Sequence, residues 1–375
     1  MTNKIRVGII FGGKSGEHEI SLASAQSVAR AMDREKYTVV MIGVTKQGRW
    51  IAGENVLNQL IAASPSLLLK PGDDAPVEQS ESLNSKDLVP TMASHASPLG
   101  AIDVAFPLIH GPLGEDGTVQ GLLELADIPY VGAGVAASAV GMDKALMKAI
   151  FRAQGLPVLD WMVVLRRDWE AQPEETIRHI EAAFGYPCFV KPANLGSSVG
   201  VSKARNWDEL AQALATAAQY DRKLLAERAA INAREIECAV LGNDDPVASL
   251  PGEVAPHREF YDYTAKYDDT AHTDLIVPAD LPADTARAVQ AIAVRAFQAI
   301  DCSGMARVDF FVERPTHKIF LNEINTIPGF TAVSMYPRMW EKSGLAYPAL
   351  IDRLIQLARE RAADKQKSKT SYEPK

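Results

Sequence analysis

Ala306-Arg307-Val308-Asp309-Phe310-Phe311-Val312, followed by Phe320-Leu321-Asn322-Glu323-Ile324-Asn325, organises the reading of this chain. Both runs are apolar-rich and strand-like, and the intervening Glu313-Arg314-Pro315-Thr316-His317-Lys318 has turn composition. Successive strand residues face opposite ways, so Arg307 and Asp309 share one face, and Glu323 and Asn325 share another. Folding the pair as a hairpin brings Asp309 beside Glu323, to within one register step. Oxygen donors from Asp309, Glu323 and Asn325 then converge, with an arginine next to them. Carboxylate and amide oxygens suit a hard cation such as Mg²⁺, which is typically held by one or two carboxylates plus substrate phosphates. A hairpin whose polar residues only face water has the same letters, because carboxylates on exposed strands are ordinary.

The rest of the composition narrows the setting. At 375 residues the chain has room for two or three domains with sizeable cores. Hydrophobic residues make up 47% and charged residues 23%, as in an ordinary globular protein. A net charge of −8 argues against a broad nucleic-acid surface but leaves room for a local basic phosphate pocket. Cys188, Cys238 and Cys302 are far apart and lack metal-ligand spacing, which fits reduced thiols in a reducing compartment. His18, His95, His179, His257, His272 and His317 are scattered, so zinc is not expected. The start, Met1 to Phe11, is too short for a signal segment, and no stretch approaches the roughly 18 apolar residues of a membrane span. The expectation is a cytoplasmic protein without membrane or nucleic-acid partners.

Along the chain, residues 5–11 read as a buried strand. Gly12-Gly13 turns into an amphipathic helix from about Ser21 to Met32, and Tyr37 to Val44 completes a βαβ unit that opens a parallel sheet. Residues 55–98 shift to polar and turn-forming composition from about Ser64, which predicts a surface insertion. A strand over Ile102 to Ile109, a helix over Thr118 to Ala126 and another from Val135 follow. The expected division is an α/β N-terminal domain over 1–140, a central unit over 141–223, and a third unit over 224–363. That last unit ends in a helix over Tyr347 to Arg361, and a frayed polar tail over 364–375 follows.

Two glycine-containing loops bear on phosphate chemistry. Lys191-Pro192-Ala193-Asn194-Leu195-Gly196-Ser197-Ser198-Val199-Gly200-Val201 joins two strand-like runs. Its flexible backbone, two hydroxyl donors and upstream lysine are what a loop over phosphates requires, although alone it is also a plain hairpin turn. Its co-occurrence with the acidic hairpin raises its weight: one supplies phosphate donors and the other a cation site. The other loop, Gly8-Ile9-Ile10-Phe11-Gly12-Gly13-Lys14-Ser15, matches the P-loop pattern letter for letter. Its first glycine lies inside the strand and Ile9-Ile10-Phe11 is sheet core, so a P-loop nucleotide-binding protein is the disfavoured alternative. Glu17 and Glu19 lie before the helix, where a carboxylate can hold a substrate ammonium or simply complement the helix dipole.

Six motifs together carry a resemblance. Gly12 to Ser21, His110-Gly111 with Gly114-Glu115-Asp116-Gly117, Met142-Asp143-Lys144, Lys191 to Gly200, Tyr261 to Tyr267, and Asn322 to Gly329 are similar in order and spacing to D-alanine–D-alanine ligases. The match runs from about residue 5 to 360. It implies an N-terminal parallel α/β domain followed by a two-part ATP-grasp fold, α/β (α+β) in class. It also implies ATP as cosubstrate, two Mg²⁺ or Mn²⁺ ions, D-alanine as substrate, and the family's usual homodimer.

By that resemblance Lys144 and Lys191 hold ATP phosphates beneath the Ser197–Ser198 loop, with Lys266 and Asn322 also at the nucleotide. Leu224 to Glu227 is the hinge strand at adenine, and Glu235 takes the ribose. Asp309, Glu323 and Asn325 hold the metals. Arg307 and the Gly329 backbone N–H stabilise the oxyanion. Glu17 binds the first ammonium, His110 lines that pocket or only hydrogen-bonds backbone, and Ser334 with Met335 takes the second carboxylate. Tyr267, linked to Ser197 and Glu17, favours dipeptide over a D-alanine–D-lactate or D-serine product, and the segment from Tyr261 is a lid.

Overall fold

The computed structural model describes residues 4–53, 55–64, 81–83, 102–256, 273–369 and 371. Among them the strands form three sheets. The first runs β4-β3-β2-β1-β5, built from β1 (Ile5–Gly12), β2 (Tyr37–Val44), β3 (Trp50–Ala52), β4 (Glu81–Leu83) and β5 (Val104–Pro107). β1 is parallel to both β2 and β5, so its Val7 to Phe11 are covered on both faces and fully buried. Gly8 pairs with Val40 and Ala105 in mid-sheet, which places the P-loop-like letters in a strand and not in a phosphate loop. Gly12 has φ +93°, and a β-carbon there would lie 2.1 Å from the Val44 carbonyl oxygen, so only glycine can make this exit from the strand.

The helix after β1 spans His18–Ala31, one turn earlier than the periodicity predicts. Ser21, expected at its start, is inside it: the Ser21 hydroxyl donates to Leu108 O at 2.6 Å and accepts from Gly12 N at 2.7 Å. It joins the ends of two strands and does not cap the helix. Leu22, Ala25 and Val28 face the sheet. Helix Val56–Ala62 falls inside the stretch read as an insertion, yet Val56, Leu60 and Ile61 belong to the same core.

The second sheet, β6-β9-β7-β8, is antiparallel: β6 (Trp161–Leu165), β7 (Cys188–Pro192), β8 (Ser202–Ala204) and β9 (Lys223–Arg228). Helices Pro173–Phe184 and Trp207–Ala217 cover it through Ile177, Ile180, Leu210 and Leu214. β9 pairs with β6 and β7, so this sheet extends through Arg228, past the expected boundary at 223/224.

The third sheet, β13-β12-β10-β14-β15, is also antiparallel. It comprises β10 (Ala233–Gly242), β11 (Val247–Ala248, paired to β10), β12 (Gly252–Pro256), β13 (Thr273–Ile276), β14 (Gly304–Glu313) and β15 (Ile319–Asn325). Helix Ala283–Ala299 packs on it through Val289, Ala293 and Phe297, together with Met147 and Phe151 of helix Lys144–Ala153.

The last helix runs Tyr347–Lys365, beyond the expected end at Arg361 and into the stretch read as tail. Its Leu350, Ile351, Leu354 and Ile355 join the core of the first domain beside Val7 and Leu22. Arg361 pins this helix across domains. It donates to Tyr130 O at 2.9 Å, to Ser303 Oγ at 2.6 Å and to Gly132 O, and stacks 4.3 Å above the Tyr130 ring. Lys365 pairs with Glu124, which holds the final turn. Cys188, Cys238 and Cys302 are buried free thiols, and burial pushes each thiol pKa up, so none is a ready nucleophile. Among the described residues no helix is long and apolar enough to cross a membrane.

Candidate active site

The acidic hairpin forms as expected, and its register is now fixed. Asp309 pairs with Glu323 and Arg307 with Asn325, with an irregularity immediately after Asp309. The Arg307 fork is bidentate on Asp309, with Nε to Oδ1 and Nη2 to Oδ2 both at 2.7 Å. Its Nε also lies 3.2 Å from Glu237 Oε2 on the neighbouring β10, where Glu237 sits opposite Asp309. Burial opposes the Arg307 charge, but Asp309 and Glu237 more than offset this and hold its pKa above the usual range. Asn325 Nδ2 donates to Asp309 Oδ2 at 2.9 Å, which leaves its amide oxygen as the remaining donor toward a cation. No group of three or more His, Cys, Asp and Glu side chains at metal-ligand spacing occurs among the described residues. The set at the hairpin is instead two carboxylates and an amide, an all-oxygen set that suits a hard divalent cation shared with phosphate oxygens.

The lysines reach this hairpin from other elements. Asp143 caps helix Lys144–Ala153 by accepting from Ala145 N and Leu146 N, each at 3.1 Å, so the helix begins at Lys144. Lys144 Nζ donates to Leu195 O at 2.7 Å in the glycine-serine loop and lies 3.5 Å from Glu323 Oε2. Lys191 projects from β7, with Nζ 2.5 Å from Glu227 Oε2 and 3.4 Å from Asn322 Oδ1. Glu227, assigned to the adenine strand, is only 2% exposed, and its other oxygen pairs with Lys148. Burial alone would raise the Glu227 carboxyl, but Lys148 and Lys191 hold it below the usual carboxylate range. Sequence reasoning missed Lys148. The signal was present: positions 144, 147, 148 and 151 form one helical stripe, and lysines fill two of its four core places.

The loop between β7 and β8 carries backbone strain where function is expected. Ser197 and Ser198 have φ +50° and +58°, the left-handed region that non-glycine residues seldom adopt. Ser197 Oγ donates to Glu17 Oε1, joining this loop to the N-terminal domain. β-Carbons at Gly111 and Gly196 would lie 2.8 Å and 3.3 Å from Glu17 Oε2, so two glycines make room for that carboxylate. Tyr267 and Lys266, with the whole lid segment from Tyr261, lie outside the described residues.

His110 and Glu115 sit behind Glu17. His110 Nδ1 lies 3.0 Å from Ile327 O, a carbonyl that can only accept, so Nδ1 carries the proton. Nε2 then accepts from Ser24 Oγ at 3.1 Å, and burial holds the imidazole below its usual pKa. Ser24 Oγ in turn accepts from Phe330 N at 3.4 Å, which ties the Gly329 loop to the N-terminal domain. Gly329 and Ser334 are neighbours, since a β-carbon at Gly329 would be 3.4 Å from Ser334 Oγ. Ser334 precedes helix Met335–Lys342, its hydroxyl 2.7 Å from Thr331 Oγ1, while the Met335 side chain turns inward beside Gly252. Glu235 stands on β10 two residues before Glu237, opposite Val254 and Phe311.

Glu115, part of a quoted motif but given no role, accepts from Gly111 N at 2.6 Å. Burial first, then the Glu17 charge, pushes its carboxyl up to about 8. The folded chain therefore keeps a proton that the unfolded chain loses above the ordinary value of 4.5. This group's contribution to stability is full below that value and is lost as pH rises through about 8. Glu115→Gln, which mimics the protonated acid, should fold and flatten the fall in Tm between pH 5 and 8. An unchanged slope in thermal melts would show that Glu115 is ionised throughout.

Two antiparallel sheets joined through paired lysines and an acidic hairpin, with an α/β domain built on a mixed sheet beside them, define an ATP-grasp ligase. The family model for the D-ala D-ala ligase N-terminus matches residues 6–133, and that for the D-ala D-ala ligase C-terminus matches residues 150–356. The chain belongs to the D-alanine–D-alanine ligase family. It is 48% identical to a D-alanine–D-alanine ligase of Heliobacterium modesticaldum over 99% of both chains. It is 49% identical to that of Acetivibrio thermocellus, covering 97% of this chain and 98% of the relative. Among solved structures, the ligase of Coxiella burnetii matches with a TM-score of 0.78 at 40% identity, over 97% of this chain and 96% of the other. The VanG D-Ala:D-Ser ligase of Enterococcus faecalis matches at 0.80 and 33% identity, over 95% and 100%.

Proposed function

We propose that this chain joins two D-alanine molecules at the expense of ATP, through a D-alanyl phosphate, for peptidoglycan precursor synthesis in the cytoplasm. The observation that carries the reading is the linkage of Lys144 and Lys191 to the acidic hairpin, with Lys144 bonded to the loop whose Ser197 holds the Glu17 carboxylate. The first D-alanine carboxylate attacks the γ-phosphate and ADP leaves. The amine of the second D-alanine, having lost a proton, then adds to the acyl carbon, and phosphate departs. Phosphoryl transfer needs positioning and charge neutralisation more than covalent help.

In this reading Lys144 and Lys191 grip the phosphates under the Ser197–Ser198 loop, beside Asn322. Glu227 contributes the adenine strand and anchors Lys191, and Glu235 takes the ribose. Asp309, Glu323 and Asn325 would hold Mg²⁺ or Mn²⁺, which would supply charge neutralisation for the transferring group. Glu17 takes the first ammonium in the pocket that His110 lines. Arg307 and the Gly329 N–H face the developing oxyanion. The Met335 N–H and the Ser334 hydroxyl take the second carboxylate, the latter by turning from Thr331.

The test is ADP release measured with and without D-alanine, with the product identified by mass. Dependence on D-alanine and formation of the dipeptide support the reading, whereas D-alanine-independent hydrolysis overturns it. Tyr267 and Lys266 are assigned by resemblance, Lys266 to ATP and Tyr267 to the choice of acceptor. Tyr267→Phe should retain ATP turnover but gain D-alanyl-D-lactate synthesis, most clearly at low pH. There the competing amine is protonated, while the lactate hydroxyl gains no proton. Wild-type product ratios across the pH range would remove Tyr267 from acceptor choice.

A further inference from the structure

We propose that Lys148 is a positioning residue for ATP binding, acting through Glu227 on Lys191; this rests on the assignment of Lys191 to the phosphates. Lys148 is fully buried and Glu227 nearly so, and neither ammonium nor carboxylate is shared with solvent. One Glu227 oxygen pairs with Lys148 and the other lies 2.5 Å from Lys191 Nζ, so a single carboxylate sits between two ammonium groups. Lys191 alone continues outward, to Asn322 Oδ1 at 3.4 Å beside the acidic hairpin.

Burying an ammonium costs several kcal/mol, and its helical neighbours on the same stripe are Lys144, Met147 and Phe151. An apolar residue at 148 would meet the packing requirement without that cost. The charge count gives the lysine a purpose. Glu227 and Lys191 alone sum to zero, so the phosphates would meet a neutral pair. With Lys148 protonated the trio carries a net charge of +1, and Lys191 is the member directed toward the hairpin. Lys148 also fixes the Glu227 carboxylate in the orientation that clamps Lys191, so charge and geometry act together.

The experiment is isothermal titration of the full chain with ATP and Mg²⁺, and separately with adenosine, in the absence of D-alanine. Lys148→Met should weaken ATP binding by about ten- to hundredfold, the range found when an outer partner of a ligand-holding group is removed. Adenosine binding should be unchanged, because the loss is confined to the phosphates. Lys148→Arg keeps a cationic donor beside Glu227 and leaves the Glu227–Lys191 pair intact. It should hold ATP affinity to within about threefold of wild type, and it carries the test if the methionine variant does not accumulate. Equal losses for ATP and adenosine, unaltered ATP affinity in Lys148→Met, or an arginine variant that folds but binds ATP more than tenfold weaker than wild type each overturn the proposal. Because the readout is nucleotide binding, a wild type that binds ATP but joins no D-alanine refutes only the ligase reading.

Discussion

Glu323→Gln is expected to leave the circular dichroism unchanged and to lower D-alanine-dependent phosphate release by about two to three orders of magnitude. The substitution is nearly isosteric, and Glu323 lies on a strand whose core contacts come from Leu321 and Ile324. What it removes is charge at one point: the carboxylate paired in register with Asp309 and 3.5 Å from Lys144 Nζ. Losing one preorganised group that faces developing charge costs about 2.7–4 kcal/mol in the transition state, which is the stated loss in rate. Near-normal turnover at saturating Mg²⁺ would refute the placement of cation binding at this hairpin.

The other large effect concerns Arg307, where stability and activity should separate. Arg307→Met leaves Asp309 and Glu237 as two shielded carboxylates without their shared cation, a change that costs about 3–5 kcal/mol when one partner of a buried pair is lost. Arg307→Lys restores the charge but not the two parallel donors at 2.7 Å. The lysine variant should regain much of the stability in denaturant melts, yet remain about a hundredfold slow in ADP release, the loss expected for a misplaced donor in the oxyanion role proposed for Arg307. A lysine variant with wild-type turnover would mean that Arg307 serves only to hold Asp309. One with methionine-like stability would mean that the fork, not the charge, holds the hairpin.

Much of this site was legible because it is local. The pairing of Asp309 with Glu323 follows from two strands joined by a short turn, and strand alternation decides which side chains meet. The same holds for β1, the turn at Gly12 and β2, where the placement of Gly8 to Phe11 inside a strand already disfavoured a P-loop. Lys144 was legible only through the resemblance of Met142-Asp143-Lys144, and the Asp143 cap that starts its helix came from the structure. Lys148 was not singled out: a lysine at a core position reads as a surface residue unless its partner is known, and Glu227 is supplied by a different sheet.

The sequence by itself determined the α/β class, the acidic hairpin, the glycine-serine loop between two strands and the order of motifs that identifies the family. Each is encoded by periodicity, turn residues or spacing within a few tens of residues. Only the tertiary structure decided that β9 belongs to the second sheet and that Glu237 shares Arg307 with Asp309. It also decided that Glu227 binds two lysines and that the last helix completes the core of the first domain. In these cases an apolar face or a charge cannot be left exposed or unpaired, but many partners along the chain would satisfy it. The choice falls to whichever element the fold brings within contact, and that depends on how all three sheets pack.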